Sequence, residues 1–208
     1  MRKKRIHPWP VRICHWVNLL VMIGMVMSGW GIYNADPIFD FTFPQITTLG
    51  GWLGGNIGWH LAVMWVLAAN GLFYVLWGLF SGHFKRRFLP FTPTSVWHDL
   101  VDALRFRLSH KSSQYNAVQK LMYVGVLLLG VLLVLSGLSI WKPVQFSGLV
   151  ALMGGFTIAR YVHFFAMSGV MLFVVVHVAM VLLVPKTLPG MITGGKVVAN
   201  NSGDPADE

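Results

Sequence analysis

The chain has 208 residues, of which 55% are hydrophobic and 11% charged, and its mean hydropathy is +0.63. Its apolar residues gather into runs too long for the helices of a soluble core, which excludes a soluble globular domain and indicates an integral membrane protein. The net charge of +9 lies in the connections between those runs rather than on one surface, which argues against nucleic acid; Cys14, the single cysteine, excludes an intramolecular disulfide, a cysteine-ligated iron–sulfur cluster and a CxxCH covalent attachment site.

In chain order, four segments reach the ~20 residues a span requires: Arg12–Tyr33, Ile57–Phe80, Lys120–Trp141 and Arg160–Val184. The expected fold is all-α, a four-transmembrane-helix bundle filling one domain over residues 1–197, with a polar, disordered tail over 198–208. The first run follows basic residues, as a signal peptide would. It is long enough to span and shows no small-x-small cleavage pattern, so it is expected to remain as an anchor.

The connections are distinct from one another. Residues 34–56 are rich in Pro, Gly and Phe. Residues 92–108, TPTSVWHDLVDALRFRL, open with capping residues, and Val96, Leu100, Val101, Leu104 and Leu108 recur at helical spacing, which predicts a short interfacial amphipathic helix. FSGLVALMGGF, residues 146–156, is too short to span and is expected to lie along the outer surface. Trp9, Trp30, Trp59 and Trp141 mark span ends, where an apolar ring with a polar edge is favoured. Every Lys and Arg except Lys142 and Arg160 belongs to the first span's start, the second connection or the tail. The positive-inside rule therefore puts both termini and the 81–119 connection in the cytoplasm.

With that topology each histidine acquires a depth. His15 lies near the cytoplasmic end of the first span and His60 near the outer end of the second. In the fourth span His163 is near the outer face and His177 deeper; fourteen residues separate them, about 3.9 turns and ~21 Å of rise, so they share a helix face. Two pairs at two depths result: His15 with His177, and His60 with His163. Ionisable residues in hydrocarbon are expensive, and neutral imidazoles facing each other across a dry helical slot suit axial ligation of haem iron. Zinc is the weaker alternative, because neither depth adds a carboxylate or cysteine set. Arg12 and Arg160 each precede a ligand candidate by three residues, one turn nearer the surface, where they could pair with haem propionates.

The chain resembles the bacterial di-haem cytochrome b subunits of membrane oxidoreductases: the formate dehydrogenase gamma subunit, the hydrogenase b-type cytochromes, and thiosulfate reductase or cytochrome b561-like subunits. The likeness covers most of residues 11–195 and rests on RICHW (12–16), WH (59–60), YNAVQK (115–120), SGLSIWKP (136–143), ARYVH (159–163), HVAMV (177–181) and GMITGGKV (190–197). The resemblance implies two non-covalent b-type haems stacked across the membrane, with His15, His60, His163 and His177 at the positions of the family's axial ligands. It implies a periplasmic catalytic partner, a molybdopterin oxidoreductase ahead of a [NiFe] hydrogenase, and menaquinone or ubiquinone as mobile substrate. The YNAVQK stretch puts Asn116 and Lys120 at quinone-binding positions, with Val118 where the formate dehydrogenase stretch has glycine. An amide can donate to a quinone carbonyl, although Asn116 equally suits a helix cap and Lys120 a headgroup anchor.

Two other functions stay open at this point: a partner-independent superoxide:quinone oxidoreductase, for which only Lys142 and Arg160 could form the outer cationic funnel, and a haem-free metal or proton transporter or scaffold.

Overall fold

The computed structural model describes residues 7–82, 117–183, 185 and 188–194. Among these there is no strand. Four long helices, α1 (Trp9–Tyr33), α2 (Leu53–Phe80), α3 (Ala117–Trp141) and α5 (Phe156–Leu183), alternate with the short α4 (Ser147–Leu152) and α6 (Leu188–Thr193). α1, α2 and α5 are each long and apolar enough to cross a membrane, and α3 contributes a shorter apolar stretch, Gly125–Trp141. Leu20, Phe80, Leu128 and Leu183 are all more than half exposed. An apolar exterior on helices that satisfy their own backbone is what a hydrocarbon solvent selects.

The helices begin three or four residues before the expected spans, at 9, 53, 117 and 156 rather than 12, 57, 120 and 160. Hydropathy marks where hydrocarbon begins, whereas helical hydrogen bonding continues into the interface. Pro8 precedes α1 in an extended conformation, and Pro10 falls in its first turn, where the missing N–H removes no helical bond. The helix from Ser147 to Leu152 gives the expected apolar piece a defined form. Gly154 and Gly155, at φ +86° and +107°, then turn the chain into α5, a conformation that a side chain would strain. The amphipathic helix expected over 92–108, Asn116 and the tail 198–208 lie outside the described residues.

Two compact units divide the chain, residues 1–83 with 181–208, and residues 84–180. In the first, α1 and α2 form an antiparallel hairpin whose contacts descend one helix as they climb the other. Asn70 Nδ2 donates to the Cys14 carbonyl at 3.1 Å and to Asn18 Oδ1 at 2.8 Å. Higher up, Gly24 faces Val63 and Gly31 faces Asn56. Small residues let the backbones approach, and the amides bond across helices where no water competes. The 34–52 connection is pinned by Asn34, whose Nδ2 donates to the Phe43 carbonyl and whose Oδ1 accepts from the Phe43 N–H, both at 2.8 Å. The Phe43 ring stacks on Trp30 at 4.5 Å.

α6 returns to the start of α1. Arg12 Nε and Trp16 Nε1 donate to the Met191 carbonyl at 3.3 and 3.2 Å, and Arg12 Nη2 donates to the Ile192 carbonyl. The His7 N–H donates to the Gly194 carbonyl at 3.2 Å. These donors satisfy carbonyls that the end of a helix leaves without intrahelical partners. In the second unit α3 and α5 run antiparallel, with Leu129 against Gly169 and Gly137 against His163.

Candidate haem-ligand histidines

His60 lies two turns into α2, half-buried against α1. Ser28 Oγ, on the facing turn of α1, is 2.9 Å from His60 Nδ1. The same hydroxyl is 2.6 Å from the Gly24 carbonyl, four residues back along its own helix, and 3.2 Å from that of Met25. Ser28 is fully buried. Gly29 follows it, and a methyl placed there would stand 3.5 Å from His60 Cε1.

The second unit repeats the arrangement. Ser136 Oγ, on α3, is 3.0 Å from Nδ1 of His163 on α5, and 2.6 Å from the Leu132 carbonyl four residues back. Ser136 too is fully buried. Gly137 follows it, and a methyl there would stand 3.3 Å from His163 Cε1. The serines sit in matching segments, SGWGIY (28–33) and SGLSIW (136–141). Each is the last full turn and a half of a hairpin's first helix, and each hairpin's second helix carries the histidine.

The sequence presents SGLSIW only as part of a family segment, and joins neither Ser28 nor Ser136 to a histidine. The repeated S-G-x-x-I-aromatic pattern was the available signal. Nor does the sequence single out Asn18 and Asn70, whose polar contact crosses an apolar interface.

The remaining candidates are placed by their helices. His15 is half-buried on α1, its ring edge-on to Trp16 at 5.4 Å. His177 is exposed on α5 and stacks on Phe173, one turn earlier, at 5.8 Å. Arg12 engages the carbonyls of Met191 and Ile192. Arg160 is half-buried, one turn before His163 on α5. Lys120 lies in the first turn of α3. No cluster of three or more metal-ligating side chains occurs among the described residues.

A family model described as prokaryotic cytochrome b561 matches residues 6–194. The chain belongs to this family. A relative from Azospira oryzae, "Putative protein-methionine-sulfoxide reductase subunit YedZ1", is 49% identical over 190 residues, 91% of this chain and 96% of its own length. Two others, from Cupriavidus necator and Bradyrhizobium diazoefficiens, carry the name "Probable Ni/Fe-hydrogenase B-type cytochrome subunit". Each is 24% identical over 83% of this chain, and over 76% and 75% of their own lengths respectively. No solved structure matches the chain.

As a member of the cytochrome b561 family the protein is a membrane electron-transfer cytochrome subunit, and the family implies haem b. The residues fit that group. At His60 and His163 the Nδ1 edge is engaged by a buried hydroxyl, so that iron would be bound through Nε2, and the adjacent glycines keep the ring edge clear of a Cβ.

Proposed function

We propose that this protein is the membrane-anchoring di-haem b subunit of a periplasmic redox enzyme, carrying electrons across the cytoplasmic membrane between that enzyme and the quinone pool. The fold we assign is the four-span bundle with both termini in the cytoplasm. Its outer haem is held by His60 and His163 and its inner haem by His15 and His177. Haem supplies one-electron Fe(III)/Fe(II) exchange, and two imidazole ligands leave the iron no open position, which suits electron transfer rather than oxygen chemistry. The observation that carries this reading is the matched pair of serine-held histidines, one in each hairpin.

The other residues take supporting roles. Arg160, one turn from His163, is positioned along its helix to meet a propionate. Arg12, one turn from His15, joins that role to its bonds with α6. Asn116 and Lys120 are proposed to bind the quinone at the cytoplasmic end of α3. The partner we favour is a molybdenum enzyme that reduces sulfoxides, by analogy with the named function of the Azospira relative. Reducing a sulfoxide to a thioether and water consumes two electrons and two protons, so electrons would run outward from quinol.

The test is a reduced-minus-oxidised spectrum of the purified protein, with haem extracted and counted per chain, followed by reduction with a short-chain quinol. Two b haems, both reduced by quinol and slowed by Asn116→Ala without loss of haem, are expected. Fewer than two haems would overturn the conduit. Absence of haem would return the histidines to metal or proton traffic, and superoxide-driven quinone reduction by the subunit alone would replace the partner-dependent reading.

A further inference from the structure

We propose that Ser28 and Ser136 are positioning residues that hold His60 and His163 in the tautomer protonated at Nδ1, and that together they lower the potential of one haem, the outer one. The inference rests on the reading of His60 and His163 as axial ligands.

Proton bookkeeping at each hydroxyl fixes the tautomer. Ser28 Oγ carries one proton, and its two backbone neighbours, the Gly24 and Met25 carbonyls, can only accept. The shorter contact, 2.6 Å to Gly24, takes that proton. The lone pairs of Oγ then face His60 Nδ1 at 2.9 Å, so the imidazole donates and Nδ1 bears its hydrogen. In a neutral ring Nε2 is then the unprotonated nitrogen, the one able to bind iron. The same assignment holds at Ser136, with Leu132 at 2.6 Å and Leu133 at 3.3 Å as acceptors and His163 Nδ1 at 3.0 Å as donor. A serine bonded to the i−4 carbonyl is common in membrane helices. Here each such serine also faces an imidazole on the next long helix of its hairpin, and the device occurs in both units.

The hydrogen-bond chain has a redox consequence. A hydroxyl already donating to a carbonyl is a better acceptor, because linked hydrogen bonds polarise one another. Accepting from Nδ1–H raises the basicity of the ligating nitrogen, which favours ferric over ferrous iron. Two such histidines on one haem would add their effects.

The test begins with His60→Ala and His163→Ala, each read by haem content. Retention of both haems would overturn the ligand reading itself. With that reading upheld, Ser28→Ala and Ser136→Ala are titrated potentiometrically, and their low-spin EPR signals recorded. Each is expected to shift the same haem toward the ferrous state, up to about tenfold, equivalent to about 59 mV for a one-electron couple. The second haem should not move, and the double variant should add the two shifts. Ser28→Thr, which keeps the hydroxyl, should restore the native potential and secures the test if the alanine variant does not hold haem. Unchanged potentials, or loss of haem in the threonine variant, would overturn the inference while leaving the ligand assignment standing; shifts on two different haems would overturn the pairing of His60 with His163 and the inference with it.

Discussion

Gly137 stands where a methyl would come within 3.3 Å of His163 Cε1, closer than ordinary van der Waals contact, whereas the equivalent methyl at Gly29 would stand 3.5 Å from His60 Cε1. Because Ser136 ties Nδ1, the nitrogen next to Cε1, the imidazole cannot rotate from the methyl without lengthening the Nδ1 bond. Gly137→Ala is therefore expected to cost about 1–3 kcal/mol as an overpacking change, and to broaden or shift the EPR signal of one haem. Gly29→Ala should be close to native in both respects. Measuring haem retention on heating and the EPR spectrum of both variants checks this; an equal or larger effect at Gly29 would show that clearance at Cε1 does not limit ligand placement. Serine and glycine in sequence thus act on different atoms of one ring, the hydroxyl on Nδ1 and the missing methyl beside Cε1.

The α1–α2 hairpin shows how close an element pair can be packed in a membrane, where association relies on fit and polar contacts rather than on escape from water. A Cβ at Gly31 would lie 2.3 Å from Asn56 Cγ, and Asn56 is itself buried near the start of α2. Gly31→Ala must displace the Asn56 side chain and part the helices there, one turn from the Ser28–His60 contact. Gly58→Ala, on the exposed side of α2 with nothing within 4 Å, should be neutral or gain up to about 1 kcal/mol in helix propensity. Thermal unfolding in detergent should then show Gly31→Ala losing several degrees while Gly58→Ala does not, and equal melting temperatures would refute the tight crossing. The long helices were legible in the sequence because apolarity is summed over ~20 residues, and the common face of His163 and His177 because fourteen residues are close to four helical turns. The serine partners were not, because a cross-helix contact depends on the register of two helices distant in sequence, to which hydropathy and periodicity within either helix are blind. Nor was the bond from Arg12 to Ile192, which requires residues 188–194 to return to the start of α1.

At the scale of the molecule, each hairpin supplies one serine-held histidine, and the other two ligand candidates, His15 and His177, sit on the first and last long helices. In the proposed four-span topology the basic residues would orient the chain, and alternation of spans would put His60 and His163 toward the outer face and His15 and His177 toward the cytoplasm, His163 and His177 being about four turns apart on one helix. The proposed pairing by depth then predicts that each haem takes one ligand from each hairpin. Replacing either His60 or His163 by alanine should remove one and the same haem, identified by its midpoint potential, and leave the other reducible by quinol. Replacing either His15 or His177 should remove the second haem and abolish rapid quinol reduction of the first, because the relay nearest the proposed quinone site is gone. The measurement is a redox titration of four single variants with haem counted per chain. If His15 and His60, both in the first hairpin, proved to share a haem, each hairpin would be an independent haem module. The depth order derived from the charge distribution would then be wrong, and electron transfer would run between hairpins rather than along them.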